Sequence, residues 1–297
     1  MKTALNRKTR RGFTQVEVLT LLSVLFVLAS LLVPAVYATR EASRRSQCKN
    51  NLKQIALGLH NYHEVHASLP PGWTNQTTDP GPDIRYGWMS SLLPYIDHSP
   101  LFESMDWDAQ GAATAAARKL FQQPLAVYRC PSDTTPETNP LRGDFATSNY
   151  SGSFGDTPLP RWLEAGASAG WLGEPHTPKM GTGVFWWNSR VRIRDMRDGT
   201  SNVIWAGETS VSSASAIWMG VRGNSFENDA ISDCSPGNEM NTGLGAFSSR
   251  HTGGAHFMMG DGAVRFISEN INSGRSGQPG VYQNLSNRSD GRRLDAF

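Results

Sequence analysis

The chain has 297 residues, 38% hydrophobic and 18% charged, a soluble balance that confines any membrane character to a local segment. A formal net charge of +2, with basic residues gathered at the N-terminus, excludes a general nucleic-acid binder. The 29 glycines and 17 prolines argue for turns and long loops over a helical bundle; Cys48, Cys130 and Cys234 make neither a disulfide scaffold nor a metal knuckle and permit one bridge and one free thiol.

Residues 1–12, MKTALNRKTRRG, carry Lys2, Arg7, Lys8, Arg10 and Arg11 and no acid. From Val16 to Tyr37 the chain is apolar apart from Glu17 and a few small hydroxyl residues. A helix needs about twenty such residues to cross the hydrocarbon. A buried core helix is rarely apolar all round for so long, and a cleavable secretory signal would be shorter and end in small residues. The membrane-anchor reading therefore wins. Lysine and arginine do not orient it, because Arg40, Arg44, Arg45, Lys49 and Lys53 on the outer flank tie the five on the inner flank.

Glu17 carries more information. A carboxylate inside an apolar helix is costly and marks a functional site by default. The segment RRGFTQVEVL resembles the type IV prepilin and pseudopilin signal: a basic leader ending in Gly, then Phe, Thr and a Glu at the fifth mature position. In that family a membrane peptidase cuts after the Gly and methylates the new amino group. The resemblance places the cut between Gly12 and Phe13 and pairs Glu17 with the N-terminal amine of a neighbouring subunit during assembly. Pro34 lies where pilin anchors often carry proline; Gln15 departs from the usual apolar residue.

From Ala38 to Ala67 the residues Cys48, Leu52, Ile55, Leu59, Tyr62 and His66 recur at alternating spacings of four and three, one helical stripe. One long helix is expected, kinked if at all at Pro34 and stopped by Leu69-Pro70-Pro71-Gly72. His60, His63 and His66 share this helix, but no Cys or acid completes a tetrahedral set, so packing or hydrogen bonding is expected of them. Short helices are expected over Trp88–Asp97, Leu101–Met105 and Ala112–Gln122, and strands over Leu125–Tyr128, Val184–Trp187 and Val203–Ala206. Residues 134–182 read as a long decorated insertion, and Arg194 to Asn202 as turns. In AHFMMGDGAVRFI two apolar runs flank Asp261-Gly262, which predicts a hairpin with strands near 256–259 and 263–267. From Ser273 onward there is little to bury, so a loose tail is expected.

The segments SQCKNNLKQIALGLHNYH, YRCPSD, DGTSNVIWAGE and SRHTGGAHFMMGDGAVRFI together resemble a large prepilin-like domain-of-unknown-function family. Its C-terminal piece is the prepilin-processing-associated H-x9-DG domain, and His251, Asp261 and Gly262 have that spacing here. His251 and Asp261 either meet as a pair or are structural, with Asp261-Gly262 forming the turn; the turn already explains two of the three residues. The family pattern carries Cys48 in the stalk and Cys130 before Pro-Ser-Asp. These are either bridged, stapling helix to body, or two buried thiols, with Cys234 the odd one out.

Three further chemistries have partial signals in the residues. Gly166-Ala167-Ser168-Ala169-Gly170 matches G-x-S-x-G but lacks the strand before and the helix after that a nucleophile elbow needs. An EF-hand is excluded by Arg194 and Met196 at ligand positions, leaving at most another kind of calcium site near Asp195, Asp198 or Asp233. Nine tryptophans either fill a loop-rich core or are exposed for saccharide or partner binding; filling is the favoured reading.

The resemblance and the residues together imply an α+β, pilin-like fold: one long N-terminal helix packed on an antiparallel sheet with long loop insertions. The expected organisation is a leader over 1–12, a transmembrane helix over 13–37, an amphipathic stalk over 38–70, an extracytoplasmic body over 71–272 and a loose tail over 273–297. The implied role is non-enzymatic, with no cofactor, no metal and no nucleic acid. The implied partners are prepilin peptidase, the membrane and other pilin-like subunits in a homo- or hetero-oligomer of type II secretion or type IV pilus machinery. The implied location is the cytoplasmic (inner) membrane, single-pass, with the C-terminal body in the periplasm or at the cell surface. The rival reading is a ligand- or carbohydrate-binding module that uses the pilin leader only as an anchor.

Overall fold

A computed structural model describes residues 14–74, 84–107, 115–159, 180–210, 217–222, 229–243, 245–275 and 278–292. It divides into two compact units, Met1–Arg44 and Arg45–Phe297. Helix α1, Gln15–His66, is the one helix among the described residues long and apolar enough to cross a membrane.

In the first unit the helix opens on a reciprocal cap. Glu17 Oε2 accepts hydrogen bonds from the Thr14 backbone N at 2.8 Å and Thr14 Oγ1 at 2.9 Å, while Thr14 Oγ1 accepts one from Glu17 N at 3.3 Å. A Thr-x-x-Glu sequence satisfies otherwise orphaned amides at a helix start in this way. The large apolar side chains from Val16 to Tyr37 are exposed. Residues 15–37 cover about 35 Å of helix, enough for a hydrocarbon core of about 30 Å. Pro34 lies within the helix.

The second unit holds the rest of α1, where Cys48, Asn51, Leu52, Ile55, Ala56, Gly58 and Leu59 are buried. Gly58 is small for a reason: a Cβ there would lie 2.9 Å from Ile96 Cγ2. The helix ends at His66 because Ala67 takes φ 53°, the left-handed conformation that terminates a helix, and two prolines follow. Leu69 N then bonds to Val191 O at 2.7 Å and carries the chain away.

After α1 come β1 (Ile84–Tyr86), α2 (Trp88–Ser91), α3 (Ser99–Glu103) and α4 (Ala115–Phe121). Next are β2 (Thr138–Asn139), β3 (Phe145–Ala146), β4 (Tyr150–Gly155), β5 (Ile204–Glu208), β6 (Gly220–Arg222) and β7 (Ile231–Asp233). The hairpin β8 (Gly254–Met259) and β9 (Val264–Ser268) and helix α5 (Val281–Ser286) close the list. The fold is α+β. Among the described residues its main sheet has five strands in the order β7-β4-β5-β8-β9, antiparallel throughout except for edge strand β7, which joins β4 in parallel. Two small antiparallel pairs, β1 with β6 and β2 with β3, flank it.

Both faces of the sheet are apolar and both are covered. Ala255, Phe257 and Met259 of β8 point one way, into a cluster with Ile204, Ile267, Phe247, Tyr282 and Leu285. Met258 and Val264 point the other way, into the large core with Leu52, Ile55, Leu59 and Trp205. Residue alternation along β8 thus puts α1 on one face and α5 on the other.

Four expectations are corrected. Leu125–Tyr128 is not a strand: Ala126–Tyr128 is one 3-10 turn, closed by Tyr128 N to Leu125 O at 3.0 Å. Val184–Trp187 forms no ladder of its own, since Val184 N and Phe185 N both bond to the single carbonyl of Ser153 in β4. Residues 134–182 are not mere decoration, because β4 lies in that stretch as an interior strand of the main sheet. Over its described residues the polar tail is not loose: α5 buries Tyr282, Gln283, Leu285 and Ser286, and Tyr282 and Leu285 join the cluster on the second sheet face. Burial of two large side chains there contributes about 3–6 kcal/mol of transfer free energy, which tethers the segment.

Candidate functional site

The residues of the H-x9-DG signature and of the CPSD segment converge on α1. Glu208 ends β5 and is 2% exposed. Its Oε2 accepts hydrogen bonds from the His256 backbone N at 2.8 Å and from Ser249 Oγ at 2.9 Å. Its Oε1 faces His256 Nδ1 at 3.1 Å and His251 Nε2 at 3.4 Å. Burial alone would raise the carboxyl's pKa, but the hydrogen bonds from His251 and His256 outweigh it and hold it at about 2. Glu208 is thus an ionised, fully engaged anchor between β5 and β8.

His251 Nε2 also lies 3.6 Å from Cys130 Sγ, and Cys130 is bonded to Cys48 of α1. Cys130 is held from behind: its N–H donates to Asn149 Oδ1 at 3.0 Å, and Asn149 Nδ2 donates to Asp133 Oδ2 at 2.6 Å. Asp133 further accepts from Thr135 N and Thr135 Oγ1. Asn51 Nδ2 of α1 donates to Arg129 O at 2.8 Å, and Tyr150 Oη of β4 donates to Cys48 O at 3.2 Å. The same nitrogen of His251 meets both Glu208 and Cys130. A proton relay to a thiol needs the two ring nitrogens to face opposite partners, so this arrangement is not that of a Cys-His-Glu nucleophile.

His251 and Asp261 do not meet. They flank opposite ends of β8, whose six residues span about 20 Å. Asp261 Oδ1 accepts from Ala263 N at 2.8 Å, and Gly262, at φ 77°, is the left-handed residue of the turn. Met259 N bonds to Ala263 O and Gly262 N to Met259 O, so the loop is a three-residue turn with a glycine bulge, with Asp261 itself outside the positive-φ region. The tip of this turn is docked: Lys53 Nζ donates to Gly262 O at 2.7 Å. At the other end Arg45 Nη2 donates to Thr252 O at 2.7 Å and its guanidinium lies 5.1 Å over the Phe266 ring. The signature is a clamp that grips α1 at both ends of one strand.

The remaining sequence candidates take structural roles. His60 packs on Trp205 with centroids 4.9 Å apart and the rings tilted by 33°, and desolvation and then the nearby His63 lower its pKa. His63 Nε2 accepts from Ile193 N at 3.3 Å, and His66 Nε2 lies 3.1 Å from Tyr95 Oη. Asp195 caps the turn at Arg192, Asp198 accepts from Asp290 N and Gly291 N, and Asp233 accepts from Ser235 N and Leu159 N. Trp73, Trp88, Trp186, Trp205 and Trp218 are buried, and Trp107 and Trp187 pack against the same core. Cys234 is the unbridged cysteine and is buried. Gly12 and Phe13, Gly166 to Gly170, Trp162 and Trp171 lie outside the described residues.

Sequence reasoning missed Glu208, His256, Asn149 and Lys53. One signal was available for Glu208: an acid closing the apolar run Ile204-Trp205-Ala206-Gly207 needs a buried partner. The other three are polar residues whose partners are set only by long-range contacts.

Comparison with known proteins agrees with the resemblance. Neither the curated proteins nor the solved structures offer a match to the chain. A family profile described as "protein of unknown function (DUF1559)" matches residues 37–274, which includes the α1 stripe, both bridged cysteines, Glu208 and the whole signature. With most of its length matched, the chain belongs to the family of proteins of unknown function DUF1559.

Proposed function

We propose that the protein is a non-enzymatic pilin-like (pseudopilin) subunit, cut by prepilin peptidase between Gly12 and Phe13 and held in the cytoplasmic membrane by α1. In this reading it is assembled by, or exported through, machinery of the type II secretion or type IV pilus kind, in contact with other pilin-like subunits. The observation that carries the reading is a helix start whose exposed apolar face holds a single carboxylate, Glu17. An acid in that setting awaits a cationic partner, and a neighbouring subunit's N-terminal amine supplies one. The Thr14 cap engages one oxygen, Oε2, and leaves Oε1 to receive the amine. The Cys48–Cys130 bridge supports placing the body on the extracytoplasmic side, where disulfides persist.

Glu17→Ala tests the proposal in cells that make the native assembly machinery. The expected result is a processed, membrane-inserted subunit that no longer enters assemblies recovered by shearing or crosslinking. Unchanged assembly would remove the main physical argument. The ligand-binding reading has one supporting observation, an open depression of about 350 Å³ bordered by Tyr62, His66, Pro71 and Arg190. It ranks second because the described tryptophans are taken up by the core.

A further inference from the structure

We propose that Cys48, Cys130, His251 and Glu208 form a redox-gated site for a zinc-class divalent cation, with the disulfide and the ion as alternative occupants. One ligand atom from each of these four residues lies within 4.8 Å of the others. They come from four separate places in the chain: α1, the CPSD segment, the end of β5 and the loop before β8. All four are buried.

The geometry is specific. Tetrahedral zinc, with bonds of about 2.0–2.1 Å to nitrogen or oxygen and about 2.3 Å to sulfur, sets the nitrogen–sulfur edge near 3.5 Å and the nitrogen–oxygen edge near 3.4 Å. His251 Nε2 stands 3.6 Å from Cys130 Sγ and 3.4 Å from Glu208 Oε1. Two edges of the tetrahedron are therefore already in place. The sulfur–sulfur edge needs about 3.8 Å, and opening the bond supplies it by rotation of the cysteine side chains. Outer partners are also built in. Ser249 Oγ and the His256 N–H hold Glu208 Oε2, and His256 Nδ1 sits beside Oε1. Fixed partners of this kind orient the ligands of a metal centre.

The chemistry balances with a dithiol as reductant. The dithiol gives two electrons to the Cys48–Cys130 bond, becomes its own disulfide and releases two protons. The two thiolates bind the cation. The proton on His251 Nε2 that faces Glu208 leaves or moves to Nδ1, which frees the lone pair for the metal. The consequence is mechanical: α1 stays fastened to the body in both redox states, by a covalent bond in one and by a metal in the other.

The test uses the full chain in detergent, stripped of metal, oxidised or reduced and freed of reductant under argon, and then titrated with Co(II). The reduced chain is expected to bind a single equivalent, with thiolate-to-cobalt charge transfer and the d–d bands of a tetrahedral ion. The oxidised chain is expected to give neither. Loss of an outer partner weakens metal sites about 10–100-fold, so loss of a direct ligand in His251→Gln should weaken binding by at least about tenfold, while Cys234→Ser leaves it unchanged. The proposal is overturned if the reduced chain shows no thiolate–cobalt band, if the oxidised chain binds equally, or if His251→Gln matches wild type. Should His251→Gln fail to fold, near-UV circular dichroism of the wild-type chain decides. Zinc must restore or preserve the native signal after reduction, and failure to do so contradicts the proposal.

Discussion

Removing the bridge by Cys48→Ala and Cys130→Ala in one chain should produce a large loss of stability. The two cysteines are 82 residues apart, so the bridge closes a long loop between α1 and the body. In the loop-entropy account, a loop of that length costs the unfolded chain about 15 cal/mol/K, or about 4.5 kcal/mol at 25 °C. Measured bridges more often deliver about 2–4 kcal/mol, because the unfolded chain keeps some structure. For a body of this size, each kcal/mol moves the midpoint by about 2–4 °C. The double variant should therefore melt about 5–15 °C below wild type, read by far-UV circular dichroism of detergent-solubilised chain with a chelator present. The chelator removes any contribution from metal. Cys234→Ser, at a buried and unbridged site, serves as a control for handling of a free thiol. A fall of under about 2 °C in the double variant would show that the bridge does not fasten α1 to the body in the native protein.

Other outcomes follow from single side chains. Glu208→Gln should flatten the acid limb of the stability profile: the folded-state pKa of about 2 lies below the ordinary 4.5, so this group's stabilisation is present above pH 4.5 and lost as pH falls toward 2. The difference amounts to about 3 kcal/mol, measured by urea unfolding at stepped pH, and parallel profiles for variant and wild type would refute it. Gly262→Val should cost about 1–2 kcal/mol through its left-handed φ. Asp261→Ala should cost only about 1 kcal/mol for the lost bond to Ala263 N, and a loss of function without a loss of stability would contradict the turn role. Ala67→Gly should stabilise by about 1 kcal/mol, because φ 53° strains alanine and suits glycine; a lowered midpoint would refute the helix stop.

Local patterns were legible in the sequence, and long-range ones were not. The stripe Cys48-Leu52-Ile55-Leu59 reads directly as the buried face of α1, since its period is set by the helix alone. Tyr62 and His66 continue the period but are only partly covered or exposed, resting against Tyr95 and each other. The β8–β9 hairpin was visible through Asp261-Gly262. By contrast β4, Tyr-Ser-Gly-Ser-Phe-Gly, has poor strand propensity yet lies inside the sheet. Its small residues admit close neighbours, and a Cβ on Gly152 would lie 2.6 Å from Phe185 Cδ2. Helix α5 is not legible in its own sequence because the need for it arises on another element. Ala255, Phe257 and Met259 leave an apolar face that something must cover. Glu208 is the same kind of case: its local sequence shows an acid after an apolar strand, while its role depends on two histidines more than forty residues away.

The central claim is that this body is held at the membrane by a processed pilin-like helix, and mass spectrometry of the mature N-terminus tests it most directly. The account predicts a chain that begins at Phe13 with a methylated amino group. An intact Met1, or a cut near Ala38 that discards the apolar segment, would contradict it.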